Sequence, residues 1–235
     1  MPATKTTEPK RASKAKPAAK PLTVETVSRR PQQGRSKASL ERMLGAARAL
    51  MVERGSEDFT LLEVSKRGTV SIGSIYLRFE SKDNLVRAVI AAAMDDLAAS
   101  ENAMIAGLER DCSSLAGFVP AFVKAYAGVL TENAALLRLA MMRAEHDPLV
   151  AEPGKRAAMR AVNMVTSALL HYGDEFGTKV PKVRETRANA AYYIIFATLA
   201  RQLSLGSSRE SVTDYDWEVL KTELGQMCLA YLTAP

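Results

Sequence analysis

Apolar side chains recur at a helical spacing from about residue 37 to the end of the chain, and this periodicity is the strongest constraint on the fold. The first stripe follows the order i, i+3, i+4, i+7, i+10 and i+11 and consists of Leu40, Met43, Leu44, Ala47, Leu50 and Met51. No run of alternating β-branched residues is long enough to indicate a sheet. The sequence therefore predicts an all-α protein.

Glycine, proline and small polar residues mark the helix ends. Gly55 ends the first helix, the capping box Thr60–Glu63 opens a second, and Gly68-Thr69 interrupts it. Ser71 and Ser81 each stand where an N-cap is expected. Six further helices are expected. The first three run from Ser81 to about Glu109, from Leu115 with a late start or kink at Pro120, and from a Thr131 cap to about Glu145. The last three run from about Pro153 to Tyr172, over 184–204 and over 214–232, with a loop over 173–183.

Basic charge is concentrated at the N-terminus. Residues 1–37 hold ten of the 32 lysines and arginines and two of the 26 acidic residues, a net charge of +8, so the remainder has a net charge of −2. Residues 1–34 lack apolar periodicity and have too little apolar surface to offset the entropy of ordering. We expect a disordered basic arm that serves either nucleic-acid contact or solubility.

The stretch from Leu40 to Val89 carries the functional signal. Two short helices are joined by a tight turn at Gly68-Thr69-Val70, and a longer helix stands on each side. A helix-turn-helix has this arrangement, because its second helix must be free to enter the major groove of DNA. Ser71, Gly73 and Ser74 keep the exposed side of that helix small.

These residues resemble the TetR family of transcription regulators. The resemblance rests on Ala46-Ala47-Arg48-Ala49-Leu50, Gly55, Thr60, the run Val70-Ser71-Ile72-Gly73-Ser74-Ile75-Tyr76-Leu77-Arg78-Phe79, and Ser81-Lys82-Asp83-Asn84-Leu85. It implies a helix-turn-helix DNA-binding domain over 35–81 and a helical effector-binding and dimerisation domain over 82–235. The family's usual glycine before Val70 stands one place earlier here, so either the turn geometry shifts or Thr69 adopts an uncommon backbone conformation.

The resemblance also implies roles for individual residues. Tyr76, Lys82 and Thr60 are expected to contact phosphates, and phosphate contacts position a protein without reading sequence. Ile72, Ser74 and Leu77 are expected to face base edges. Ser71 caps the recognition helix, and Arg78 stands where a further phosphate contact is expected.

The helical remainder predicts a cavity between helices that binds an apolar or weakly polar small molecule. Its candidate lining residues are Phe122, Tyr126, Met141, Met142, Asn163, Ser167 and Tyr193. Helices 184–204 and 214–232 are expected to form a homodimer interface, as they do in the family. We therefore expect a repressor that leaves a palindromic operator when an effector binds; the alternative is a helical interaction protein whose arm binds nucleic acid nonspecifically.

Several other classes of protein are disfavoured. Two cysteines and two histidines do not form a disulfide framework or a zinc site, and no other metal or cofactor motif is present in the sequence. Catalytic motifs such as HExxH, GxSxG or a Gly-rich phosphate loop are absent from it, so we expect no enzyme. The longest apolar stretch, 190–200, is too short to span a bilayer, and no secretory signal is recognised. We expect a cytoplasmic protein without a membrane partner.

Overall fold

The computed structural model describes residues 22–28, 34–205 and 215–235, and within these residues every regular element is a helix. The helices in chain order are α1 (Val24–Val27), α2 (Gly34–Arg54), α3 (Leu61–Gly68), α4 (Ile72–Arg78), α5 (Lys82–Asp111), α6 (Leu115–Ala144), α7 (Pro148–His171), a 3₁₀ turn (Gly173–Glu175), α8 (Pro181–Gln202) and α9 (Trp217–Thr233). The all-α prediction is confirmed. Among the described helices, none has both the length and the apolar character that a membrane crossing requires.

The helices α2, α3 and α4 pack around one apolar core. The predicted stripe of α2 lies inward, where Met43, Ala47 and Met51 are almost completely buried against Val64 of α3. Ile75 of α4 is buried in the same core. The short helix α4 is therefore held by one face, and its opposite face stays open.

This N-terminal core continues into the second half of the chain. Leu85, Val89 and Ile90 of α5 belong to it, and so do Leu139 of α6 and Val150 at the start of α7. The core thus extends past Ser81, where the sequence predicted the end of the DNA-binding unit. Leu139 of α6 and Val150 of α7 are therefore packed in the same core as α2, α3 and α4.

Side-chain caps set the starts of the short helices. Thr60, Ser71 and Ser81 each accept a hydrogen bond from the backbone N–H three residues later, at 3.1–3.2 Å. All three predicted caps are present. Each cap satisfies one of the amide groups that a helix start leaves without an intrahelical partner.

A second core fills the bundle of α5 to α9, with α6 in its centre. The helix α6 contacts α5, α7, α8 and α9. A row of aromatic rings along α6 is buried: Phe118 stacks on Phe122, and Phe122 on Tyr126, with ring centroids 6.0 and 5.2 Å apart. This row continues across to Tyr192 of α8, whose hydroxyl lies 3.2 Å from that of Tyr126.

Two boundaries predicted within α6 are wrong: the helix does not start late at Pro120, and no second helix begins at Thr131. The helix runs unbroken from Leu115 to Ala144, with Pro120 inside it. Proline at this position removes one backbone hydrogen bond, and Gly225 of α9 packs directly on its ring: a Cβ at Gly225 would lie 3.1 Å from the Pro120 Cα. Thr131 caps no helix, because its hydroxyl donates to the Ala127 carbonyl at 2.7 Å.

The later boundaries shift by a few residues. The helix α7 begins at Pro148 rather than near Pro153, because Asp147 caps it and accepts a hydrogen bond from the Leu149 N–H at 3.1 Å. Part of the predicted loop 173–183 is helical, since it contains the 3₁₀ turn and the start of α8. Asp216 caps α9, whereas Thr213 and Asp214 lie outside the described residues.

The predicted disordered arm lies mostly outside the described residues. Its residues 22–28 are described, and they form the one-turn helix α1, capped by Thr23. Leu22, Val24 and Val27 pack against the N-terminal core, where α1 contacts α5. These three apolar residues explain the difference from the prediction, because they give this part of the arm an apolar surface to bury.

Candidate nucleic-acid interface and effector cavity

The turn between α3 and α4 has an unusual backbone. Thr69 has φ 50° and ψ 49°, the left-handed conformation that costs a residue with a Cβ about 1–2 kcal/mol. Of the two alternatives predicted for this turn, the uncommon conformation at Thr69 is therefore present. Gly68 serves packing instead, since a Cβ there would lie 3.0 Å from the Arg42 carbonyl oxygen of α2. The Ser65 hydroxyl closes the turn by donating to the Val70 carbonyl at 2.6 Å.

The outer face of α4 carries exposed apolar and aromatic side chains. Ile72, Tyr76 and Leu77 are 40%, 56% and 72% exposed, although large apolar and aromatic side chains usually lie on the buried face of a helix. Ile75 and Phe79 anchor the opposite face. Exposed large apolar side chains grouped on one short helix indicate a contact surface. The predicted recognition helix thus presents its predicted contact residues outward.

The polar candidates on α4 are arranged differently. The Ser71 and Ser74 hydroxyls lie 2.7 Å apart, and Ser71 also accepts the Ser74 N–H. Arg78 is 7% exposed and lies at the buried end of the helix, away from the outward face of Tyr76. A phosphate contact from Arg78 would require this side chain to leave its buried position.

Thr60 and Lys82 flank α4 from neighbouring elements. The Thr60 hydroxyl donates to Glu63 at 2.9 Å within the capping box. Arg54 binds the same carboxylate, and its hydrogen bond, with those of Thr60, lowers the pKa of Glu63 to about 2. The Lys82 ammonium lies 4.8 Å from the centroid of the buried Phe59 ring. Both side chains therefore lie at helix starts where phosphate contacts are predicted.

A cluster of five charged side chains joins the helix-turn-helix to the bundle. This Arg143 cluster consists of Glu57 in the α2–α3 loop, Asp83 and Arg87 on α5, Arg143 on α6 and Asp147 at the cap of α7. Arg143 donates to Asp147 and to Asp83 at 2.8 Å each, and to Glu57. Arg87 donates to Asp147 at 2.7 Å. Arg143 and Asp147 are 6% and 4% exposed, whereas Asp83 is 62% exposed, so four separate elements meet in one ion network with a buried centre.

An apolar cavity of about 470 Å³ lies between α5, α6, α7 and α8. Its wall is formed mainly by alanine, leucine, methionine and aromatic side chains. Ala140, Ala144 and Val150 belong to the wall and lie close in sequence to Arg143 and Asp147. A cavity of this size and composition is typical of a small-molecule site.

Three of the seven predicted lining residues reach this cavity: Tyr126, Met141 and Tyr193. The other four do not. Phe122 is completely buried in the aromatic row, and Met142, Asn163 and Ser167 lie on exposed faces of α6 and α7. Which face of a helix lines a cavity depends on the packing between helices.

Sequence reasoning missed the polar residue on the cavity wall. Glu101 of α5 lines the cavity together with Tyr192 and Phe196 of α8. A signal was present, because Glu101 stands four residues after Leu97 and three before Met104, at the helical spacing of an apolar face. An acidic residue inside an apolar stripe marks either a buried partner or a site.

The fold and this surface define a helix-turn-helix DNA-binding protein. Residues 43–89 match the sequence model of the bacterial regulatory proteins of the tetR family. This match confirms the predicted resemblance to the TetR family over the helix-turn-helix region. A search of curated proteins gives no significant match.

Solved structures share the whole fold at low sequence identity. A protein described as a TetR-family regulator from Mesorhizobium loti has a TM-score of 0.63 at 17% identity, over 85% of this chain and 96% of its own. A transcriptional regulator from Rhodococcus gives 0.60 at 22%, over 83% and 95%. The regulator FadR from Bacillus subtilis, solved in complex with stearoyl-CoA, gives 0.58 at 13%, over 81% and 98%.

Proposed function

We propose that the protein is a dimeric repressor that binds a palindromic operator through α4 and leaves it when a small molecule fills the cavity. The observation that carries the proposal is the exposed contact face of α4, built on the same core as the helices that line the cavity. The protein would act in the cytoplasm, where operator DNA lies, and the proposal includes no catalytic step.

The side chains of α4 divide into two roles. Ile72, Ser74 and Leu77 would meet base edges in the major groove, where an apolar side chain can contact a thymine methyl. Tyr76, Thr60 and Lys82 would contact phosphates and set the orientation of the helix. Ser71 supports this indirectly, because its cap fixes the first turn of α4 and its hydroxyl orients that of Ser74.

The outer faces of α8 and α9 would form the dimer interface. Ile194 on α8 and Val219, Met227 and Tyr231 on α9 are 40–62% exposed, and the two helices contact each other. A two-helix face of this kind pairs with its own copy around a two-fold axis. The dimer would then present two α4 helices at a separation of about 34–36 Å, one turn of DNA.

Coupling between cavity and operator would pass through the α6–α7 corner. The cavity wall includes Ala144, which follows Arg143 directly, and Val150, three residues after Asp147. Arg143 binds Glu57 in the α2–α3 loop and Asp83 in the first turn of α5. A ligand that moved this corner would change the separation of the α4 helices. If it weakens operator binding tenfold, operator must weaken ligand binding tenfold, about 1.4 kcal/mol of coupling.

The test is selection of bound fragments from random DNA, followed by footprinting of the selected sequence. We expect two half-sites related by two-fold symmetry, with centres about one helical turn apart. Enrichment of no sequence, with affinity that depends only on salt, would favour the alternative of a nonspecific nucleic-acid binder. A variant with Ile72 and Leu77 changed to alanine should no longer enrich a specific DNA sequence. It should keep its thermal stability, because both side chains are exposed.

A further inference from the structure

Glu101 occupies an unusual place in the cavity. Within the described part of the chain it is the one acidic side chain on the cavity wall, and it lies on α5 among apolar neighbours such as Leu97 and Ala98. A carboxylate in apolar surroundings is costly unless it is paired. The wall therefore contains a charge-bearing group whose natural complement is a cation.

The groups that face Glu101 come from three other helices. Tyr126 of α6 and Tyr192 of α8 lie on the aromatic side, with their hydroxyls 3.2 Å apart. Tyr193 of α8 also lines the cavity, and Arg160 and Lys155 of α7 are exposed groups at its edge. The Lys155 ammonium lies 3.1 Å from Glu152, so part of this positive charge is already paired outside the cavity.

The protonation of Glu101 reflects this setting. Burial raises its pKa from the ordinary 4.5 to about 7, although the charge of Arg160 and hydrogen bonding with Tyr126 oppose the rise. Near neutral pH the carboxyl group thus changes readily between its neutral and charged forms. A cation that entered the cavity would hold it in the charged form.

We propose that the cavity binds an organic amine, whose apolar body fills the space between α5, α6, α7 and α8 and whose ammonium group donates to the Glu101 carboxylate. The aromatic rings of Tyr126, Tyr192 and Phe196 line the same cavity and attract a cation through their faces. A charge-assisted hydrogen bond in an apolar site is stronger than one between neutral groups. A ligand with a carboxylate at this end would instead meet a like charge.

This inference specifies the ligand class of the proposed effector site, and its test uses three probes of one shape. Naphthalen-2-ylmethanamine, naphthalen-2-ylmethanol and 2-naphthoate differ in one polar group and are titrated into the full-length protein by calorimetry at pH 8. We expect the amine to bind at least tenfold more tightly than the alcohol, and the carboxylate to bind least. Preference for the carboxylate, equal binding of amine and alcohol, or binding of none of the three would overturn the proposal.

The substitution E101Q keeps the size of the side chain and removes its charge. It should weaken amine binding at least tenfold and change alcohol binding less than twofold. The matched control is E109Q, which changes an exposed glutamate on the same helix and should change neither. Unaltered amine binding to E101Q would refute the assigned role of Glu101.

A pH series on the wild-type protein gives a second measurement that does not depend on folding of a variant. Amine affinity should rise between pH 5.5 and pH 8, as Glu101 loses its proton around pH 7, while alcohol affinity stays level. A flat amine profile would contradict the ion pair. Because the naphthyl group does not titrate, a pH dependence that only the amine probe shows comes from the interaction of its amino group.

The failure of this inference can be separated from failure of the proposed function. Operator binding is measured with each probe and with stearoyl-CoA, the ligand in the Bacillus subtilis FadR structure. Release of operator by stearoyl-CoA, together with no Glu101-dependent binding of the amine, would retain the repressor and overturn the amine site. Amine binding that depends on Glu101, with operator affinity unchanged by every compound, would retain the site and overturn the effector-controlled repressor.

Discussion

Replacing Arg143 with glutamine should destabilise the protein strongly, because this arginine holds three carboxylates at the junction of the two cores. Its side chain is 7% exposed, and its partner Asp147 is 4% exposed. Removing one member of a buried ion pair typically costs about 3–5 kcal/mol. Here Asp147 keeps Arg87 at 2.7 Å and the Leu149 N–H at 3.1 Å, so the lower part of that range applies.

The two remaining partners add less. Glu57 and Asp83 are 28% and 62% exposed, and exposed pairs contribute about 0–1 kcal/mol each. We expect a total loss of about 3–6 kcal/mol in the free energy of unfolding. In a domain of this size each kcal/mol lowers Tm by about 2–4 °C, so R143Q should melt roughly 6–24 °C below the wild type.

Thermal unfolding followed by circular dichroism measures this loss, and R110Q is the matched control. Arg110 pairs with Asp111 at 3.0 Å, but both side chains are well exposed, so R110Q should lower stability by less than about 0.5 kcal/mol. A double-mutant cycle with D147N should show that the two losses are not additive. If R143Q had the same Tm as R110Q, the Arg143 cluster would not contribute measurably to the stability of the fold.

The pH dependence has a definite sign. The hydrogen bond from Arg143 lowers the pKa of Asp83 below its ordinary 3.8; for Asp147, burial opposes the lowering, but Arg87 and Arg143 outweigh it. Carboxyl groups with lowered pKa values stabilise the fold above their unfolded pKa, and this contribution disappears as pH falls through the folded value. The Tm difference between wild type and R143Q should therefore shrink between pH 6 and pH 3.

Three further predictions concern the DNA and dimer surfaces. K82A should weaken binding to operator and random DNA equally and reduce the salt slope by about one in filter binding, whereas S74A should relax preference at one base position in the same assay. Deletion of residues 1–21, which leaves α1 in place, should lower the salt slope and retain operator preference; an unchanged slope would make these residues dispensable for DNA contact. In size-exclusion chromatography I194E should give soluble monomers, because Ile194 is 43% exposed, whereas I195E should lose the folded protein, because Ile195 is 1% exposed. A monomeric wild type, or a dimeric I194E, would contradict the proposed interface.

Local features of the fold were predictable from the sequence, because local interactions create them. The caps at Thr60, Ser71 and Ser81 use hydrogen bonds within four residues of the chain. The outward face of α4 follows from the spacing of Ile75 and Phe79, which leaves Tyr76 outside. The family resemblance rests on the same short stretch, which is why it located the DNA-binding unit.

Features that depend on long-range packing were not predictable in this way. Pro120 was expected to delay or kink α6, yet the helix begins before it at Leu115, and Gly225, 105 positions later, packs against the proline ring. The same limit applies to the cavity. Met142 and Ser167 are residue types that can line a pocket, but in the packed bundle both lie on exposed faces of their helices.

The position of the Arg143 cluster relative to the cavity gives a physical reason for one corner to serve both sites. Arg143 is followed by Ala144 of the cavity wall, and Asp147 is followed after two residues by Val150 of the same wall. Arg143 of this corner binds Glu57 and Asp83, and Asp147 binds Arg87, while Ala144 and Val150 line the cavity. Breaking the buried Arg143–Asp147 pair would be costly, because it would leave a charge without compensation. A ligand that displaced the wall at Val150 would therefore shift the start of α5 or break a pair, and either result reaches α4 through the shared core.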